Sequence, residues 1–158
     1  MKKTIFTLQK QKENNEKITM ITAYEYSSAK ILDEFGVDMI LVGDSLGMVV
    51  LGYKDTLSVT MKEMIYHTKA VARGVKNAFI VADLPFASYQ TSVKDGVKNA
   101  AKLIKKGRAN GVKLEGGVDY IPHIKAIAQA GIPIIAHLGL TPQFVNVLGG
   151  YKVQGKDE

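Results

Sequence analysis

There is no cysteine among the 158 residues, so neither a disulfide framework nor a thiolate metal site can exist, and a reducing compartment is compatible. No apolar run approaches the length of a membrane span. The opening Met1-Lys2-Lys3-Thr4-Ile5-Phe6-Thr7-Leu8 is basic and then apolar, but Gln9-Lys10-Gln11-Lys12 interrupts it too soon for a signal peptide, and a cytoplasmic protein is expected. The net charge of +6 is spread over helix-like segments, with no tract in which basic residues alternate with aromatics. Solvated helix faces are therefore expected rather than a nucleic-acid partner. The glycine-rich stretch 148–155 lacks the strand-to-helix placement and the Gly-Lys-Ser/Thr ending of a phosphate cradle, and a mobile flap is expected there. With 46% hydrophobic and 23% charged residues, what is present suits one globular domain spanning 1–158.

The informative stretch is 38–48, Asp-Met-Ile-Leu-Val-Gly-Asp-Ser-Leu-Gly-Met. An apolar run fit to cross a covered parallel sheet stops at Gly43, and Asp44 and Ser45 follow where the strand would emerge. Ligands of α/β folds gather outside the carboxyl ends of strands, so this pair can reach a metal or a small acid; a lone Asp there could equally cap a turn. The pattern repeats. After a polar arm at 1–17, a first strand is expected over 18–23 and a helix over 26–35 that Gly36 ends. A weakly periodic loop at 49–58 precedes a helix that begins at the capping box Thr60-x-x-Glu63, runs to Arg73 and stops at Gly74. The third strand, 78–82, ends in Asp83; a helix follows from the cap Ser92 to Gly107.

In the fourth strand, 111–115, apolar and charged residues alternate, so Lys113 and Glu115 share one face and Val112 and Leu114 the other. With helices covering the outside, the charged pair should point inward near the strand end. A plain Lys/Glu ion pair on an edge strand is the alternative. A fourth helix over 119–130 and a fifth strand over 132–137 end in His137, a residue that at a strand end can be merely structural. Five β/α alternations allow a doubly wound sheet or a (β/α)8 TIM barrel, and functional residues on several successive strand ends favour the barrel. This chain then supplies about the first five β/α units of eight, since a whole barrel takes about 250 residues.

The motifs Thr22-Ala23-Tyr24, Val42-Gly43-Asp44-Ser45-Leu46-Gly47-Met48, Ala82-Asp83-Leu84-Pro85-Phe86, Val112-Lys113-Leu114-Glu115-Gly116-Gly117, His137-Leu138-Gly139-Leu140-Thr141-Pro142-Gln143 and Gly149-Gly150-Tyr151-Lys152-Val153-Gln154-Gly155 together resemble the ketopantoate (3-methyl-2-oxobutanoate) hydroxymethyltransferase family. The resemblance implies a barrel enzyme of pantothenate biosynthesis that moves a hydroxymethyl group from 5,10-methylenetetrahydrofolate onto 3-methyl-2-oxobutanoate, giving ketopantoate. It also implies Mg2+, an enolate stabilised by that ion, and a homo-oligomer, a homodecamer in bacterial members. By position, Asp44 and Asp83 are implied as magnesium ligands and Glu115 as a further carboxylate at the metal. Asp44, Ser45, Asp83, Lys113 and His137 are implied to contact or line the oxo-acid pocket. The residue types suit a hard cation and a chelating 2-oxo acid.

Two departures stand out. Glu25 occupies the place where the family usually has Asp after Thr-Ala-Tyr. The family's proton-accepting glutamate falls on a later strand, beyond Glu158, so no catalytic base of that kind is expected in these residues. Two other readings stay open: a magnesium-dependent carbon–carbon lyase of the isocitrate lyase type, against which the absent nucleophilic cysteine speaks, and a non-catalytic half barrel with unpaired sheet edges.

Overall fold

The computed structural model describes residues 2–156. Its elements follow as α1 (Ile5–Glu13), β1 (Met20–Thr22), α2 (Tyr26–Glu34), β2 (Met39–Val42), α3 (Leu46–Val49), α4 (Met61–Gly74) and β3 (Phe79–Asp83), then α5 (Val93–Lys102), β4 (Gly111–Glu115), α6 (Ile121–Gln129), β5 (Ile134–His137) and α7 (Val145–Leu148). The five strands form one sheet in the order β1-β2-β3-β4-β5, with every neighbouring pair parallel. A doubly wound sheet reverses its strand order at a switch point. This sheet never does, so successive strand ends line up side by side along one rim, as in a barrel wall.

Period-two alternation divides the side chains between two faces. Ile40, Val42, Ile80, Ala82, Val112 and Leu114 join Met64, Val71, Leu103 and Ile127 from the helices in the main core. Each fully buried aliphatic side chain contributes about 1.5–3 kcal/mol. On the other face Phe79 and Val81 pack with Leu8, flanked by Met39, Leu41 and Ile135. The next residues along that second face are Asp83, Lys113, Glu115 and His137, in register across three strands. One face is thus apolar at the strand starts and charged at the strand ends.

Four local readings differ from expectation. The polar arm contains α1, started by a reciprocal Thr4/Thr7 capping box, and its Leu8 is buried. Lys3 pairs with Asp38 at 2.5 Å and Gln11 donates to the same carboxylate at 3.0 Å. The helix escapes sequence inspection because only a single side chain of it reaches the core. Residues 46–49, directly after the Asp44-Ser45 pair and reaching only the first residue of the 49–58 loop, form the short α3. Gly74 does not end its helix by turning: it is the last helical residue, and a Cβ there would lie 2.6 Å from the carbonyl oxygen of Tyr26. It is glycine so that α4 can approach α2. The helix from Ser92 does end at Gly107, but it does so through a π-turn at Leu103–Gly107, and Arg108, at φ +66°, makes the left-handed exit. Thr60 with Glu63 and Ser92 cap their helices as expected. No helix among the described residues is long and apolar enough to cross a membrane.

Candidate active site

β2 delivers Asp44 into the rim because Gly43 leaves room for the turn. A Cβ on Gly43 would stand 2.7 Å from Ser45 Oγ and 3.6 Å from Asp83 Oδ2, inside the site itself. The backbone N–H of Asp44 donates to Asp83 Oδ2 at 3.1 Å, tying the ends of β2 and β3 together. One register step across, Lys113 Nζ lies 3.0 Å from Asp83 Oδ1. That ion pair is the polar contact of the buried Oδ1. The Lys113 partner is therefore Asp83 on the next strand, not Glu115 on its own, which removes the plain Lys/Glu edge pair. Glu115 faces β5 instead, with Oε1 3.5 Å from His137 Nδ1.

Asp44, Asp83, Lys113 and Glu115 are all buried, at 3%, 4%, 9% and 2% exposure. Three carboxylates thus share one lysine and a half-buried histidine, in a place from which water is largely excluded. Burial, and then the charge of Asp83, push Asp44 up to about 7. Burial raises Asp83 as well, against the pull of Lys113, and raises Glu115 against the backbone N–H of Gln143. Burial and the Lys113 charge push His137 down, toward its neutral form. The cluster is short of positive charge, and a divalent cation would supply it. The buried carboxylates of Asp44 and Asp83, with one lysine between them, fit the same need, and oxygen donors of this kind suit Mg2+, which takes one or two carboxylates and keeps several waters. Among the described residues no three Asp, Glu or His side chains already stand as a finished ligand shell.

Every residue expected at the site is at the same rim. Ser45 is half-buried and shares a hydrogen bond of 2.8 Å with the Tyr24 hydroxyl, while the Tyr24 carbonyl lies 2.6 Å from His67 Nδ1. Glu25 turns away from the site and caps α2, taking the backbone N–H groups of Ser27 and Ser28 at 2.5 and 2.6 Å. Those hydrogen bonds, Ser28 foremost, lower it to about 2. The longer carboxylate thus does a helix-capping job that an Asp can also do. Two residues were not singled out by sequence reasoning. Gln143 is buried at 3% exposure and donates from Nε2 to Asp44 Oδ2 at 2.7 Å and from its backbone N–H to Glu115 Oε2 at 2.9 Å. Tyr89, fully buried, accepts from the Glu115 N–H at 3.0 Å. Neither sits at a strand end, so period and spacing carry no signal for them; Gln143 appears only inside the motif that begins at His137.

A cleft of about 230 Å³ adjoins His137, walled by Gly116, Tyr120, Leu138, Phe144 and Val147. A larger cleft, about 380 Å³, lies against α2 and the end of α4, and none of the rim carboxylates lines it. Its Asp33 is saturated by the backbone N–H groups of Lys76, Asn77 and Ala78. The charged rim, not cavity size, therefore marks the candidate site.

The family model described as ketopantoate hydroxymethyltransferase matches residues 2–158. Relatives named 3-methyl-2-oxobutanoate hydroxymethyltransferase from Clostridium novyi and Enterococcus faecalis are 65% and 63% identical over 158 residues. The match covers all of this chain and 58% of each relative, so the chain spans little more than half their length. Among solved structures, 2,3-dimethylmalate lyase of the PEP mutase/isocitrate lyase superfamily aligns with TM-score 0.65 at 17% identity, over 86% of this chain and 52% of that one. Phosphonopyruvate hydrolase, solved with oxalate and Mg2+, aligns with TM-score 0.69 at 14% identity, over 83% and 50%. At such identities these structures speak for the fold alone.

Proposed function

The chain belongs to the ketopantoate hydroxymethyltransferase family, and on that premise we propose that the protein carrying it transfers a hydroxymethyl group from 5,10-methylenetetrahydrofolate to 3-methyl-2-oxobutanoate. The observation that carries this reading is the collection of Asp44, Ser45, Asp83, Lys113, Glu115 and His137 at one rim by four strands. In this reading Asp44 and Asp83 hold Mg2+, with Glu115 as a further carboxylate beside it. When bound, the ion supplies Lewis-acid polarisation of a keto oxygen. Lys113 brings the fixed positive charge of the site to the carboxylate of the 2-oxo acid, and Ser45 Oγ, held by Tyr24, offers a hydrogen bond. His137, kept neutral by burial and by Lys113, lines the pocket without adding a second cation. The cleft beside it, with Tyr120 and Phe144 in its wall, is the place this reading gives to the aromatic ring of the one-carbon carrier. Removal of the proton next to the ketone is assigned to a glutamate on a later strand. Assembly into a homo-oligomer belongs to the same proposal; Phe35 and Phe6, 85% and 79% exposed, are apolar surface open to such contacts.

The lyase reading shares the fold but not the family match. The discriminating experiment is to incubate the purified protein with Mg2+ and 3-methyl-2-oxobutanoate, with and without 5,10-methylenetetrahydrofolate, and follow ketopantoate by mass spectrometry. Product that depends on both the folate and the metal is expected. Carbon–carbon cleavage of a dimethylmalate-type acid, with no folate-dependent product, would favour the lyase.

A further inference from the structure

Gln143 is the most heavily bonded side chain at the rim. Its Nε2 donates to Asp44 Oδ2 at 2.7 Å and to the carbonyl of Leu84 at 2.9 Å. Its Oε1 accepts from Gln90 Nε2 at 2.9 Å and lies 3.0 Å from the Tyr89 hydroxyl, whose one proton sits between this oxygen and the Glu115 carbonyl. Flipping the amide would set its oxygen against a carboxylate and a carbonyl, and its NH2 against the donor of Gln90. The orientation is therefore fixed by its neighbours.

This arrangement decides which oxygens the carboxylates present. Asp44 has Oδ2 taken by the Gln143 side chain, Glu115 has Oε2 taken by the Gln143 backbone, and Asp83 has Oδ2 taken by the Asp44 backbone. Each carboxylate keeps one oxygen outside these ties; that of Asp83 pairs with Lys113 at 3.0 Å and that of Glu115 lies 3.5 Å from His137. A carboxylate with one oxygen engaged in this way binds a cation through the other. One-oxygen binding suits Mg2+, small and octahedral, whereas Ca2+ gains from carboxylates that chelate with both oxygens and from seven or eight ligands. We propose that Gln143 is a positioning residue that sets cation specificity: by holding Asp44 to one free oxygen it favours Mg2+ over Ca2+. The inference rests on the proposed metal-dependent function, but concerns a residue that function did not use.

The test is metal binding by the purified protein, with Mn2+ titrated by electron paramagnetic resonance and displaced by Mg2+ or by Ca2+. In Gln143→Met, which keeps the bulk and loses the donor, Mg2+ affinity falls about 10–100-fold, as on loss of other outer partners of metal ligands. Ca2+ affinity falls less, because Asp44 is released to chelate, and the Ca2+/Mg2+ preference moves toward Ca2+ by about tenfold. Tyr89→Phe, which removes one hydroxyl beside Oε1, moves it less and in the same direction, and supplies the readout if Gln143→Met does not fold. An unchanged preference in a folded variant, or equal losses for both ions, overturns the inference while leaving the metal-dependent reading intact. Absence of Mn2+ binding by the folded wild type overturns both.

Discussion

Replacing Asp44 by Asn should stabilise the metal-free protein at neutral pH, although it removes a residue at the centre of the site. The structure holds Asp44 at about 7, from an ordinary 3.8, through burial and the neighbouring Asp83. Ionising it in the folded state therefore costs free energy that the unfolded chain does not spend. The folded pKa is raised, so the stability it carries is present below the unfolded value, near 4, and is lost as pH rises to about 7. At about 1.4 kcal/mol per pH unit the full difference is about 4 kcal/mol, and allowing for relaxation and water entry in a buried pair, about 2 kcal/mol remains. Asn keeps an oxygen to accept from Gln143 and carries no charge. For a chain of this size about 2 kcal/mol raises the melting temperature by roughly 4–8 °C. Thermal unfolding in EDTA at pH 7.5 and at pH 4 measures it: Asp44→Asn should melt higher at pH 7.5, with the gap closing at pH 4. Added Mg2+ should raise the wild type and leave the variant nearly unmoved. A variant that melts lower at pH 7.5, or by the same margin at both pH values, would refute the account of a charge-starved rim.

Asp33→Ala should lower stability by about 3 kcal/mol in urea unfolding, because it strips the acceptor from the backbone N–H groups of Lys76, Asn77 and the buried Ala78 that lead into β3; metal affinity should not change. Gly74→Ala should cost about 1–3 kcal/mol in the same assay, since its methyl group meets backbone of α2 rather than a movable side chain. Lys113→Met should destabilise by about 3 kcal/mol at pH 8 by leaving Asp83 buried without its ion-pair partner. At pH 5 the loss should shrink, because Asp83, already raised by burial, takes up a proton.

Much of this molecule is legible along the chain because its signals are local. Apolar runs that stop at Asp44, Asp83 and His137, the caps Thr60 and Ser92, and the alternation in 111–115 each report a choice made within a few residues. Period two alone places Lys113 and Glu115 on one face, and five β/α repeats with functional strand ends point to a barrel wall. The motifs identify the family without reference to any contact. The tertiary structure decided what depends on residues far apart. That Lys113 pairs with Asp83 follows from the register of β3 on β4. That α1 belongs to the fold follows from a pocket for Leu8 which only the assembled sheet provides. Gly74 is glycine for the sake of another helix, and Arg108 rather than Gly107 carries the left-handed turn. Gln143 reaches Asp44 across 99 positions of sequence. Spacing along a chain carries no record of such a meeting; it exists only once the strands are aligned and the loop after β5 folds back over their ends.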